Sequence, residues 1–553
     1  MDFAPARVAQ MPQTQRLHYR QAVPVPDDLR EQCHIYLDEE IYVSALALLT
    51  DIVTSGTSHP TCPDKPVMAP LPYHIEIVSA FLIHPQYTNH AIPNGNKDLG
   101  SRPITLLRDV LAVLGPVQAN LREAFSLTVD QNFRPSRRTR NTADLEDRSS
   151  GSDTDSGPKS LTLTVANTGR IRHCARDFWH MVGWAFNCSV RYPRRWPYWK
   201  VWLDYMLDVL ERDWVEREWQ DVEDERLGGR AESSGHEHEF QMLPQSLLGS
   251  YLSGAANRSS AMKRVVRCAF SDGSTESLRE FPEVFPHETR ELTPEPGGKR
   301  QGGEAAMHET FSDAPDDEAE VTSEACELRD PSSAPPPGGK MPGDEWLGGT
   351  ESMALRQRVI NMLMIQLSRA AAMLPDSSAG SKEVYREEIC VCTWSLPLPA
   401  FSLFLSASAS SQLDAGVWVG LSQMLLRRSL PASAPGPESV AGLFDVELSQ
   451  GRLERCFLPF PASSGTVSDN ARVSLVVEGM LRWLGSRGEC AYRRRLREAV
   501  DQGIRARETP LHGDGRRKDR GIRREDGETI WLRASGRRLR HQLGWMRRPG
   551  VRM

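Results

Sequence analysis

The stretch from Arg172 to Glu225 constrains the fold more than any other part of the chain. It holds Trp179, Trp184, Trp196, Trp199, Trp202, Trp214 and Trp219, more than half of the 13 tryptophans, together with Phe178, Phe186, Tyr192, Tyr198 and Tyr205. Cys174, Phe178, Met181, Val182, Ala185 and Cys188 follow one another by three or four residues, which puts them on one face of a helix from about Arg172 to Val190. Arg191-Tyr192-Pro193 ends it, because proline lacks a backbone donor and biases the preceding residue away from the helical region. Pro197 suits the start of a second helix running to about Glu223. Trp199, Leu203, Met206, Leu210 and Trp214 line one face of that helix, Trp202 and Val209 widen the stripe, and Asp204, Asp208, Glu211, Arg212 and Asp213 take the opposite side. The spacing therefore predicts an αα-hairpin with a wide apolar face.

Each such ring removes roughly 150–250 Å² from water on burial, worth a few kcal/mol at about 25 cal/mol per Å². A lone hairpin cannot bury that much surface, so other helices must cover it, and the rings read as core. The turn between the two helices is different. Tyr192, Arg194, Arg195, Trp196 and Tyr198 gather cations and rings beside prolines, and they form the candidate interaction surface.

Helical periodicity recurs on both sides. After an irregular N-terminus (1–26), the region 27–130 offers four helices. The first runs from about Asp27 to Thr54, with Asp27 or Asp28 as cap, followed by His74–His84, a helix through Ile104–Leu114 and one over Val117–Val129. Residues 134–160 pair the basic RPSRRTR with an acidic, serine-rich run and read as disordered. The hairpin region spans 161–225, where the alternation of Leu161–Val165 fits a short strand and equally an extended lead-in to the hairpin. Residues 226–285 read as a weakly structured linker and 286–349, rich in Pro, Gly, Glu and Ser, as the longest disordered insert. A C-terminal helical region (351–507) includes a helix capped by Asp469 or Asn470, and 508–553 reads as a basic disordered tail. The expected fold is all-α, an irregular helical array or bundle with long disordered insertions. Solenoid-like αα-hairpins are an alternative, but no residue signature recurs at a fixed period.

The chemistry-bearing motifs are sparse. There is no Walker loop, dinucleotide glycine fingerprint, HExxH helix or G-x-S-x-G elbow, so no catalytic, cofactor or metal residue is assigned and the chain reads as non-enzymatic. His236-Glu237-His238 has no third ligand in its polar linker. Cys390 and Cys392 precede an apolar segment and read as core, and the ten cysteines are scattered as in a reduced protein. His173, Asp177 and His180 share one stretch suited to acid–base work, but polar positions at the edge of a core explain them better. Ser152 and Thr154, with Ser149, Ser150 and Ser156, lie beside Asp153 and Asp155 and are candidate phosphorylation sites.

Charge is uneven. The formal net charge is -6, yet the residues from Arg493 onward are strongly basic, and Arg516, Arg517, Lys518, Arg520, Arg523 and Arg524 are candidates for nuclear import or nucleic-acid contact. No apolar run is long enough to span a bilayer, and the first residues lack a secretory h-region. Val201-Trp202-Leu203-Asp204-Tyr205 followed by Leu210-Glu211 resembles the second half of a half-a-tetratricopeptide motif, a helical repeat of RNA-processing proteins. Val209 stands where that pattern places an acidic residue and the match does not recur, so no function is carried over. The expectation is a nuclear, or alternatively cytoplasmic, helical scaffold with protein partners and no membrane contact. The alternative function is an RNA- or DNA-associated protein that uses its basic C-terminal tail.

Overall fold

The computed structural model describes residues 18–57, 65–92, 95–127, 164–166, 169–227, 241–253, 259–290, 347–369, 379–406, 411–436, 448–512 and 527–547. Their fold is all-α. The chain runs through α1 (Asp27–Asp38), α2 (Tyr42–Ser55), α3 (Pro72–Ile83), α4 (Arg102–Val113), α5 (Gly115–Gln118), α6 (Leu121–Ala124), α7 (Ile171–Cys174), α8 (Phe178–Arg191) and α9 (Trp196–Leu227). It continues with α10 (Leu247–Ser253), α11 (Ser259–Arg267), α12 (Thr275–Glu280), α13 (Gly349–Arg369), α14 (Ala379–Ser395), α15 (Leu398–Phe404) and α16 (Ala415–Ser429). The last helices are α17 (Gln450–Arg452), α18 (Val467–Ser486), α19 (Arg494–His512) and α20 (Gly527–Met546). Within the stretch read as an irregular N-terminus, Ala22–Pro24 pairs in parallel with Val67–Ala69, a strand pair too short to leave a period in the sequence.

Helix α9 is the axis of the molecule. Trp199, Trp202, Leu203, Tyr205, Met206, Leu207, Val209 and Leu210 are all buried, so its first half is enclosed on nearly every side. It packs on α3, α4, α5, α8, α10 and α13. Elements so distant in sequence would not share one helix in a solenoid, where each repeat meets only its neighbours. The predicted hairpin is present, but its first helix is divided. Ala175 is extended, and the Asp177 side chain accepts the His180 N–H at 2.7 Å to start α8 afresh. The predicted helix over Asp27–Thr54 is likewise two helices. Glu40 adopts a left-handed φ of 58° while the Ile41 N–H returns to the Tyr36 carbonyl at 2.8 Å, closing α1 before α2 begins. Neither Asp27 nor Asp28 caps α1, whose N-cap is Pro26. The helix expected over Val117–Val129 is two single turns, α5 and α6, separated by Asn120 at a φ of 49°.

Several boundaries read from composition are overturned. Of the stretch 226–285 read as a weakly structured linker, the described residues 241–253 and 259–285 are part of the fold, as are 286–290 of the stretch read as insert. Leu243, Leu247, Val265, Val266, Phe281 and Phe285 are buried in the same core as the hairpin. Two carboxylates of α9 hold this segment. Asp221 accepts the backbone N–H groups of Gln241, Met242 and Leu243 at 2.9, 2.7 and 2.8 Å, and Asp213 accepts that of Leu247 at 2.7 Å. Asp213, expected on the solvated face of α9, is therefore buried, since capping a neighbouring turn gives the carboxylate the donors it would otherwise find in water. Thr164 and Val165, at the end of the stretch read as a short strand or an extended lead-in, belong instead to a 3₁₀ turn, Thr164–Ala166. Thr466, not Asp469 or Asn470, caps α18; its hydroxyl accepts the Asp469 N–H and donates to the Asp469 carboxylate at 3.0 Å.

The tail read as disordered over 508–553 contains α20, which packs on α18 and α19. Leu532, Leu539 and Leu543 are buried together with Ser535 and Gly536, so the helical period is complete once small residues are counted in the contact face. The buried Glu478 of α18 accepts Ser535 Oγ at 2.8 Å and Arg538 Nε at 2.7 Å. The described residues through Thr289 and from Leu347 onward belong to one compact unit with one main core, so the regions 27–130, 161–225 and 351–507 are not separate domains. Residues 134–160 and 291–346, the bulk of the two predicted disordered inserts, lie outside the described residues.

Candidate functional site

The turn between α8 and α9 is built around Arg195. This side chain, expected at the surface, is 1% exposed. Its Nε and Nη2 donate to Glu288 Oε2 at 2.9 and 2.6 Å, and Nη1 donates to Thr88 Oγ1 and Asn89 Oδ1 at 2.8 and 2.7 Å. Nη2 also reaches the Ile83 carbonyl at 2.5 Å. Glu288 in turn accepts Trp199 Nε1 at 3.0 Å on the same oxygen, and the N–H groups of Val284 and Phe285 at 3.0 and 3.2 Å on the other. Burial pushes the Glu288 carboxyl upward, opposed by the Arg195 charge and these donors. A buried arginine survives here because every one of its nitrogens is bonded and its charge is neutralised. The ion pair joins residues 93 apart in sequence, and Glu288 fell inside the stretch read as insert. The signal that could have placed it was the apolar spacing of Phe281, Val284 and Phe285 just before it.

What the turn offers to solvent is a rim around this anchor. Arg191, Pro193, Arg194 and Pro197 are exposed, whereas Tyr192, Trp196 and Tyr198 are half-buried. Tyr192 packs on Trp184 with ring centroids 5.4 Å apart, and the Arg195 guanidinium sits 5.7 Å from the Tyr198 centroid. Of the five residues assigned to the candidate surface, one is an internal anchor and four share the rim.

Charged and open clefts also lie elsewhere among the described residues. A cleft of about 370 Å³ between α4, α9 and α13 is lined by Arg108, Lys200, Asp204, Glu351 and Arg358. Its charges satisfy one another: Arg358 bonds Asp204, Asp208 and Glu211 at 2.8, 2.7 and 2.9 Å, and Lys200 bonds Glu351 at 2.9 Å. A second cleft of about 430 Å³ is lined by Cys390, Val391, Trp394, Arg428, Ser464 and Asp469. Trp394 Nε1 and Ser464 Oγ donate to Asp469 at 2.9 and 2.6 Å. Burial tends to raise that carboxyl, but the hydrogen bonds from Ser464, Thr466 and Trp394 and the charge of Arg472 hold it below its ordinary value. Burial pushes the Cys390 and Cys392 thiols up to about 12, so neither is a thiolate nucleophile at neutral pH.

His173, Asp177 and His180 do not form one site. His173 is exposed and His180 is buried. His180 Nε2 donates to the Pro282 carbonyl at 2.9 Å while Nδ1 accepts the Arg176 N–H at 3.2 Å, so both ring nitrogens of the neutral form are used, and burial lowers its pKa. Asp177 is occupied by its capping bond and by Arg264 Nη1 at 2.5 Å. His74 and His84 are buried as well. Burial lowers His74 to about 3, helped by His34, and lowers His84 to about 4, helped by the Arg195 charge.

Buried arginines recur. Arg356 donates to the carbonyls of Ala269 and Ser271 at 2.8 and 2.7 Å, lies 4.3 Å from the Phe186 ring centroid, and is brought down by burial to about 9. Arg507 on α19 donates through Nη1 to the carbonyls of Leu458 and Phe460 at 2.9 and 3.1 Å. Its Nε and Nη2 have no hydrogen-bond partner among the described residues, and burial lowers it to about 10.

Arg516, Arg517, Lys518, Arg520, Arg523 and Arg524, the phosphorylation candidates Ser152 and Thr154, and the His236–His238 pair all lie outside the described residues. Among the described residues no group of three or more His, Cys, Asp or Glu could hold a metal ion, and no helix is long and apolar enough to cross a membrane. No known protein family, curated protein or solved structure matches the chain.

Proposed function

We propose that this protein is a non-enzymatic helical scaffold that binds other proteins, acts in the nucleus, and uses the rim of the α8–α9 turn as a contact surface. The observation that carries this reading is the anchoring of that rim. Arg191 and Arg194 are exposed and Tyr192, Trp196 and Tyr198 half-buried in the same turn as Arg195, whose guanidinium is fully bonded to Glu288 and its neighbours and lies 5.7 Å from the Tyr198 ring centroid. Binding hot spots are enriched in Trp, Tyr and Arg, and a pre-ordered surface loses little side-chain entropy on association. The buried histidines and thiols are consistent with a structural role, because burial keeps them uncharged near neutral pH.

The test is a comparison of the wild-type chain with Arg194→Glu/Tyr198→Ala, a variant that spares Arg195 and Glu288. Quantitative affinity purification from nuclear extract is expected to lose specific protein partners in the variant at unchanged melting temperature. Identical partner sets for the two proteins, or exclusion of the tagged wild-type chain from the nucleus, would overturn the reading.

A further inference from the structure

The C-terminal helices concentrate positive charge at one end of a folded layer. Ala471 packs with Leu532, and Glu478 bonds Ser535 and Arg538, so α18 and α20 run in the same direction. Arg540 approaches Asp501 at 3.6 Å, whereas Gly536 lies against Ile504 and Glu508, so α19 runs antiparallel to α20. The C-terminal ends of α18 and α20 and the N-terminal end of α19 therefore share one edge. That edge carries Arg487, Arg494, Arg495, Arg497, Arg540 and Arg547, all exposed; Arg494 is the extreme, with 92% of its side chain open to solvent. Facing them are Glu489, Glu498 and Asp501, which pair with Arg487, Arg494 and both Arg497 and Arg540, and the buried Glu454 at 3.9 Å from Arg495. These acids do not balance the charge. Residues 482–512 and 527–547 hold thirteen arginines, twelve of them besides the buried Arg507, against five acidic residues, and Glu454 and Glu478, which also meet these arginines, raise the acids only to seven; there is no lysine.

The helix dipole does not account for this placement, although Arg494 and Arg497 each meet an acid one turn on. Arg494, Arg495 and Arg497 occupy the first turn of α19, where the helix dipole disfavours cations. The exclusive use of arginine matters too, because the guanidinium fork matches the oxygens of a phosphate. Trp545, with 39% of its surface exposed, stands at the same edge beside His541 and offers a ring for base stacking. We propose that this edge of α18, α19 and α20 binds the phosphodiester backbone of single-stranded nucleic acid, as a surface of the fold rather than as an unstructured tail.

The test uses the full chain and fluorescently labelled single-stranded RNA and DNA oligonucleotides of mixed sequence, in fluorescence anisotropy across about 50 to 200 mM salt. The triple variant Arg494→Gln/Arg495→Gln/Arg497→Gln is expected to weaken binding on the order of tenfold and to reduce the log–log salt slope by about 2, at about 0.7 per lost phosphate contact. Arg427→Gln/Arg428→Gln on α16 is expected to leave both unchanged, and Trp545→Ala to weaken binding with the slope intact. Thermal melting of each variant separates lost contacts from lost folding. Failure of the wild-type chain to bind at low salt, an unaltered slope in the folded triple variant, or equal competition by poly-L-glutamate would each overturn the proposal.

Discussion

Arg195 and Arg507 are both sealed inside the protein, yet their surroundings obey opposite rules. Around Arg195 the positive charge is met by Glu288, and every guanidinium nitrogen is bonded. Around Arg507 the nearby carboxylate is only the half-buried Glu508, whose charge favours the guanidinium without a hydrogen bond to it; two carbonyl oxygens accept from Nη1, and Nε and Nη2 find no partner among the described residues. The first region stores its polarity as a closed pair, so removing one member strands the other. In the second, the cation itself is the desolvated group, and removing it relieves a cost.

The largest test of this contrast is Arg195→Met, which leaves Glu288 buried and unpaired and is expected to cost about 3–5 kcal/mol in urea unfolding at unchanged m-value. The double variant Arg195→Met/Glu288→Gln is expected to lose less than the single one, and a single-variant loss below about 1 kcal/mol would break the comparison. Next come Trp199, which donates to Glu288, and Leu203, buried one turn further along α9: Trp199→Ala and Leu203→Ala are each expected to destabilise by about 2–5 kcal/mol by calorimetry.

The Arg195 region is also the pH-sensitive one, through His84. Its folded pKa of about 4 lies below the ordinary histidine value near 6.5. The unfolded chain therefore binds a proton that the folded chain refuses, stability is full above about pH 6.5, and it falls as the pH drops toward 4. His84→Asn is expected to remove up to about 2 kcal/mol of the stability difference between pH 7 and pH 5 in denaturant titrations. In the Arg507 region, Gly503→Ala sharpens the contrast from the other side. An added Cβ would meet the Leu458 carbonyl oxygen that accepts from Arg507, and the expected loss is about 1–3 kcal/mol. The smallest effect is Arg507→Met, which forfeits two hydrogen bonds but removes a buried cation, so thermal melting should place it within about 1 kcal/mol of the parent.

The same contrast explains what sequence could reveal. The apolar periodicity of Trp199, Leu203, Met206 and Leu210 marks a buried helix face because hydrophobic burial is repeated at every turn. The stretch from Arg191 to Trp199 was legible as a turn because Pro193 and Pro197 interrupt that period. Arg195, Asp213 and Glu478 were not legible as interior groups, because a charge is buried only when its partner is in place, and the partners stand far away in the chain. Helix α20 was hidden for a different reason. Its contact face is made of Leu532, Ser535, Gly536, Leu539 and Leu543, and small residues pack without raising local hydrophobicity. The 241–290 segment escaped because its helices are short and its first turns are held from outside, by Asp213 and Asp221 of α9.

The chain on both sides of residues 291–346 is fastened to the α8–α9 turn. Glu288 is locked to Arg195 on one side, and on the other Gly348 lies against Ser189 while Ser352 Oγ donates to Ser189 Oγ at 3.0 Å. Arg356 then drives into the carbonyls of Ala269 and Ser271. Covalent continuity through 291–346 is thus not what holds the core together. Cut there, the protein is expected to become a two-chain assembly whose subunit interface is its own hydrophobic interior, an obligate heterodimer made from one gene product. Co-expressed halves ending near Arg290 and beginning near Leu347 should co-purify and melt as a single species.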